Sequence, residues 1–204
     1  MSKGRLEAFS DGVIAILITI MVLGLGVPRG TDVAALTPLA PVLLSYVLSF
    51  ANLAIWWNNH HHLFQAIHHV DGRVLWANIH LLFWLSLLPW STAWMGENNF
   101  ASLPVAIYGA ILFCAAIAYS LLVWTLVALE GHDSLLAQAV GRDWKGRGSL
   151  VAYGVAAAVA FIAPWASIAI YAGVAAVWFV PDLRIERRLP HDEHHEGGQI
   201  AHEG

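Results

Sequence analysis

The chain has 204 residues, of which 58% are hydrophobic and only 12% charged, with a formal net charge of −4, and its mean hydropathy is +0.63. That composition excludes a soluble globular domain and a disordered chain, and the acidic balance leaves no basic field that could hold nucleic acid. Cys114 stands alone, which excludes a disulfide scaffold, so the solvent for which this sequence is written is the bilayer.

A helix needs roughly 20 mostly apolar residues to cross ~30 Å of hydrocarbon, and cutting the chain at its charges and prolines leaves segments of that length. Residues 6–27 carry only Glu7 and Asp11, near their start; 39–60, 74–95 and 103–129 carry no Asp, Glu, Lys or Arg. The apolar stretch Leu150–Val180 is too long for one ordinary crossing, and Pro164-Trp165 divides it where a tight turn is needed. The expectation is two short spans at 149–164 and 165–181, completing a six-helix membrane domain over residues 1–182. The segment Glu130–Gly148 mixes charges with Leu135, Leu136, Ala139 and Val140, which suits an amphipathic helix in the interface. Residues 183–204 form a polar, His-rich tail with no periodicity.

Positive charge near span ends stays cytoplasmic. A six-span arrangement puts Lys3, Arg5, Arg73, Arg142, Lys145, Arg147, Arg184, Arg187 and Arg188 on one side and Arg29 alone on the other, so both termini are expected inside. The fold class expected is therefore an all-α, multi-pass integral membrane protein. Trp56, Trp57, Trp76, Trp90, Trp94, Trp165 and Trp178 fall near span ends as an aromatic belt, whereas Trp84 and Trp124 lie deeper and are expected to pack against neighbouring helices.

The first span carries the chemistry. Ser10 and Asp11 sit about one turn inside its cytoplasmic end, where an ionisable group is costly and needs a partner. Asp11 lies at the depth of His61 in the second span and Asn78 in the third, so a hydrogen-bonded cluster among these three helices is expected. His60, His61 and His62, with His68 and His69, close the second span and enter the inner loop. Further along the first span, Ile16, Ile20 and Leu23 recur at i, i+4 and i+7 and share one face, with Thr19 beside them. Taken alone, that stripe reads as helix packing.

The motifs resemble a known family. Arg5-x-x-x-Phe9-Ser10-Asp11 running into Ala15-Ile16-x-x-Thr19 resembles the RxxxFSD start of the transmembrane protein 175 family, the endolysosomal potassium channels and their prokaryotic relatives. Trp57-x-x-His60-His61-x-x-Phe64, Asp71, Leu75-Trp76-x-Asn78 and Leu88-Pro89-Trp90-Ser91-Thr92 are similar to that family's second and third helices, with Trp90 where phenylalanine is commoner. The resemblance implies a homotetramer in a prokaryotic inner membrane, with the first helix of each subunit lining a central potassium pore. It also implies an apolar constriction at Ile16, Ile20 and Leu23, a threonine beside it at Thr19, and a structural cluster drawn from Arg5, Phe9, Ser10, Asp11, His60, His61 and Asn78. Potassium is then the permeant ion, membrane lipid the surrounding partner, and no cofactor is required.

A TVGYG-like filter is absent, since Tyr108-Gly109, Tyr153-Gly154 and Tyr171-Ala-Gly173 are isolated. A ring of isoleucine and leucine instead gates by dewetting, and any attraction for cations comes from the mouths: Asp11 inside, Asp32 or Glu97 outside. Two other functions compete. A proton-coupled secondary transporter would use Asp11 and the inner histidines, but the inverted repeats of many transporters are missing. A di-iron membrane enzyme is suggested by the HxxHH spacing of His191, His194 and His195, but no HxxxH box precedes it and the other histidines are adjacent runs. GxSxG, HExxH, CxxC and phosphate-loop motifs are absent.

Overall fold

The structure, a computed structural model, describes residues 2–131, 134, 136–137 and 144–179. The expected tail with its HxxHH triplet, Arg184, Arg187 and Arg188, and residues 132–133, 135 and 138–143 of the expected interfacial segment lie outside the described residues. Within them the chain is helical and contains no strand: α1 Lys3–Ile20, α2 Ala40–Gln65, α3 Gly72–Ser86, α4 Leu88–Glu97, α5 Ser102–Glu130, α6 Trp144–Val159 and α7 Pro164–Phe179.

Short 3-10 segments extend the first two crossings. Met21–Gly24 continues α1, and Val33–Leu39 leads into α2. Asp32 caps the second of these by accepting from the Ala35 amide at 3.2 Å, and Pro41 occupies the first turn of α2, where its missing N–H costs nothing. The expected third span is two helices in line, α3 and α4. Proline at position 89 lacks an N–H and breaks the ladder at Leu87. Asp71 starts α3 by accepting from the Val74 amide at 2.9 Å, and it also receives the Arg73 guanidinium at 3.0 Å.

Four helical paths, Lys3–Gly24, Val33–Gln65, Gly72–Glu97 and Ser102–Glu130, are long and apolar enough to cross a membrane. The last two crossings are shorter. Helices α6 and α7 have 16 residues each, about 24 Å at 1.5 Å per residue, and the proline expected to divide them opens α7. Helix α6 ends at Val159, short of the expected residue 164, and Ser167 ties the hairpin by donating to the Ala156 carbonyl at 2.7 Å. The molecule is thus a six-crossing helical membrane protein.

Helix α5 sits at the centre, packed by α3, α4, α6 and α7, while α1 lies against α2 and α3. Tyr108, Leu112, Ala115, Ala118, Leu122 and Leu126 of α5 are all fully buried. Gly109 permits the closest approach: a Cβ there would overlap the Tyr171 hydroxyl of α7, which donates to the Val105 carbonyl at 3.2 Å. One expectation fails on this framework. Trp124 was expected to pack within the bundle, but it is 73% exposed, because the inward face of α5 is taken by Leu122, Val123 and Leu126.

Candidate functional site

Helix α1 has two faces of opposite character. Leu6, Ser10, Ile14, Leu17 and Met21 are buried against the rest of the subunit, a spacing of four, four, three and four that follows the helical period. Facing away from the subunit, Ile16, Ile20 and Leu23 are 61%, 47% and 80% exposed. The stripe that reads as packing in the sequence therefore packs against nothing within its own chain. Phe9 is also on the open side, and Arg5 is exposed at the start of the helix.

Thr19 belongs to the open face. Its hydroxyl proton is turned back to the backbone, with Oγ1 3.0 Å from both the Ala15 and the Ile16 carbonyl. A hydroxyl so engaged keeps its lone pairs for whatever stands outside the helix.

The buried face carries a directed chain of hydrogen bonds through three helices. Ser10 donates to the Leu6 carbonyl at 2.9 Å, Asn78 Nδ2 donates to Ser10 Oγ at 2.8 Å, and His60 Nε2 lies 2.8 Å from Asn78 Oδ1. Since the Asn78 amide nitrogen is spent on Ser10, its oxygen must accept, and that assigns the His60 proton to Nε2. All three side chains are fully buried. His60 also stacks on Phe64, with ring centroids 4.4 Å apart.

This corrects the expected trio of Asp11, His61 and Asn78. Ser10 and His60 take those places, because one residue along a helix is a rotation of about 100° and only Ser10 and His60 face the centre of the subunit. Asp11 instead accepts from the Trp57 indole at 3.0 Å. His61 receives the Gln65 amide at 2.9 Å on Nε2, which leaves Nδ1 facing Glu7 at 3.7 Å. His60 to His62 lie within the last two turns of α2. The loop begins later, where Glu130 accepts from the His68 and His69 amides at 2.8 and 3.1 Å and joins the end of α5 to the α2–α3 connection.

A second buried network escaped the sequence reading. Thr92 lies within bonding distance of Ser49 Oγ at 2.7 Å and of the Leu88 carbonyl at 2.6 Å, and Ser49 donates to the Tyr108 hydroxyl at 3.1 Å. The available signal was Ser45, Ser49 and Asn52 at i, i+4 and i+7 on α2, which places three polar groups on one inward stripe. Close to it, Gly96 lets α4 touch α2, since a Cβ there would meet Ser45 and come within 2.8 Å of the Val42 Cα.

Outside the membrane, the Val74 amide foremost, and then the Arg73 guanidinium, hold the Asp71 carboxyl below the usual carboxylate range. Of the expected outer acids, Asp32 is engaged as a helix cap and Glu97 ends α4 exposed. Among the described residues, no three His, Cys, Asp or Glu side chains are grouped so as to hold a metal ion.

Comparison with known proteins adds to this geometry. The family model described as endosomal/lysosomal potassium channel TMEM175 matches residues 5–89, which contain both faces of α1 and every member of the Ser10–Asn78–His60 chain. A potassium channel of Chryseobacterium sp. (strain P1-3) is 50% identical over 189 residues, covering 93% of this chain and 98% of that protein. A potassium channel of Chamaesiphon minutus is 33% identical over 184 residues, covering 82% and 88%. The crystal structure of a lysosomal potassium-selective channel TMEM175 homolog from Chamaesiphon minutus matches with a TM-score of 0.77 and 31% identity, over 90% of this chain and 97% of that one.

Proposed function

We propose, from the premise that the chain belongs to the family of the endosomal/lysosomal potassium channel TMEM175, that it is a potassium-permeable channel of a bacterial inner membrane. Its α1 helices line a pore shared by four copies of the chain. The observation that carries this reading is the exposure of Ile16, Ile20 and Leu23 on a helix whose opposite face is buried. An apolar helix face left open by its own subunit must meet lipid, another subunit or an axis between subunits, and the relatives named as potassium channels favour the last.

In that arrangement Ile16 to Leu23 spans about 10 Å of the axis, a hydrophobic constriction that holds the pore dry when narrow and conducts when the helices splay. Thr19 supplies the one oxygen within the stripe, with its lone pairs free for a partly dehydrated cation. The Ser10–Asn78–His60 chain acts behind the pore surface. It fixes the rotation of α1 against α2 and α3, so that the isoleucines rather than the small residues of the helix face the axis. The transporter reading draws no support from the hydrogen bonds: Asp11 is bound by an indole N–H, a donor only that cannot take up a proton and pass it on, and is absent from the buried chain.

Potassium flux from proteoliposomes tests this directly. The channel reading expects flux down a potassium gradient at clamped pH and voltage without any counter-gradient. Flux that appears only when a proton gradient opposes it replaces the channel by a coupled transporter.

A further inference from the structure

Helix α1 packs on both α2 and α3, and the bond between His60 and Asn78 sets those two helices level with each other. Helix α2 runs inward and α3 outward. Asn58, two residues before His60, and His80, two residues after Asn78, therefore both lie about 3 Å farther from the cytoplasmic end than the buried pair. Two residues are also a rotation of about 200° around a helix. Where His60 and Asn78 face the centre of the subunit and are fully buried, Asn58 and His80 face away from it, and both are exposed.

Each of these two side chains carries an unspent polar group inside a span. Trp84 donates its indole N–H to His80 Nε2 at 3.0 Å, which places the proton of the neutral imidazole on Nδ1. That Nδ1–H has no acceptor among the described residues, and the Asn58 carboxamide makes no hydrogen bond among them. Lipid tails offer such groups nothing, and a polar side chain inside a span is costly without a partner. The surroundings of both are apolar. Val47 and Phe50 share the outer stripe of α2 with Asn58, and Trp76 and Phe83 share that of α3 with His80, all four exposed.

We propose that these two stripes are the contact between neighbouring copies of the chain, with His80 Nδ1–H of one copy donating to the Asn58 carboxamide oxygen of the next. The inference rests on the four-copy pore proposed for α1 and goes beyond it by naming the groups that close the ring. With α1 at the axis, α2 and α3 are the helices on its two sides. A closed ring needs a heterologous contact, in which one flank of each copy meets the other flank of its neighbour. Rotation about an axis normal to the membrane leaves depth unchanged, so groups that are level within one copy stay level across copies. The donor on α3 then meets the acceptor on α2, and the apolar side chains around them are covered together.

Cysteine cross-linking of the full chain in liposomes tests this, in a Cys114→Ser background that removes the native thiol. The chain carrying both Asn58→Cys and His80→Cys should give a ladder up to the tetramer on oxidation with copper phenanthroline, whereas either single variant should give none. Val47→Cys with His80→Cys should also give none, because Val47 lies about 16 Å farther along α2 than Asn58. With no cysteines introduced, Asn58→Leu and His80→Leu should each weaken assembly in detergent about threefold to tenfold per interface, the worth of one hydrogen bond. The double variant should lose less than the product of the two, since both remove the same bond. Native mass spectrometry of the uncross-linked chain separates this contact from the pore reading. A tetramer that yields no ladder from the paired cysteines overturns the contact and leaves the pore standing, with lipid over the two stripes, and a monomer overturns both. Ladders from a single variant or from the Val47 pair, or fully independent effects of the two leucine variants, overturn the contact as well.

Discussion

Asn78 Nδ2 donates to Ser10 Oγ at 2.8 Å, joining the third crossing to the first where neither side chain is exposed. Replacing Asn78 by leucine keeps the bulk but removes the acceptor of His60 Nε2–H and the donor to Ser10. Each buried group left unpaired costs ~1–3 kcal/mol, so Asn78→Leu should lower the thermal midpoint of the detergent-solubilised protein. Ser10→Ala should cost less, and the double variant should cost less than the sum of the two, because both remove the same contact. Strict additivity would show that the two residues do not act together.

Ile16 and Leu17 are neighbours in sequence and opposites in environment, 61% and 8% exposed. Ile16→Asn should leave the fold intact and raise basal potassium flux by about tenfold or more, the change that ~1.4 kcal/mol off a barrier produces, by wetting the constriction. Leu17→Asn should reduce folded yield and give no such gain. Equal effects on flux from the two would mean that the exposed face of α1 is not the gate.

Thr19 offers a test of how the pore treats its ion. Thr19→Val has nearly the same shape and lacks only the oxygen. Since that hydroxyl bonds only its own helix backbone, stability should be unchanged while the ratio of potassium to sodium permeation, read from reversal potentials, falls. Unaltered reversal potentials would remove Thr19 from the conduction path.

Asp71 provides a pH signature. Its carboxyl is held below the usual carboxylate range by the Val74 amide and then by Arg73. The stabilisation is therefore complete above the unfolded-state value of about 4 and is lost as pH falls through the lower folded-state value. Thermal midpoints of wild type should decline on acidification below about pH 4 more steeply than those of Asp71→Asn, which keeps a capping oxygen but no titratable charge. Parallel curves would assign the decline to other carboxylates.

Gly109 should tolerate no side chain while Tyr171 stands over it. Gly109→Ala places a Cβ into the Tyr171 hydroxyl, a small-to-large change that costs ~1–3 kcal/mol, and Tyr171→Phe should recover part of that loss by removing the oxygen. A Gly109→Ala protein of wild-type stability would show that α5 and α7 can separate freely.

Much of the architecture was legible in the chain itself. Hydrocarbon thickness imposes a length on every crossing, so the spacing of charges and prolines along 204 residues limits how many times the chain can cross. Pro164 was read as the divider of the last two helices and opens α7. The break at Leu87 was not read, although Pro89 signals it, because an apolar run of span length overrides a proline when only composition is counted. The polar residues of the candidate site were visible as types, since any Ser, Asn or His inside a span is conspicuous against its background.

Which of them meet was a different matter. Ser10 and Asp11, like His60 and His61, differ by one position along a helix and by about 100° around it, and depth in the membrane, which sequence supplies, says nothing about rotation. Only the packing of α1 on α2 and α3 decides that Ser10, Asn78 and His60 are inside. The same rotation turns Ile16, Ile20 and Leu23 outward. An apolar stripe at helical spacing looks identical in sequence whether it faces its own core or something beyond the subunit, because the hydrophobic effect is non-directional. Sequence thus determined what the chain dissolves in and how often it crosses, and tertiary structure decided which side of its first helix is left for a partner.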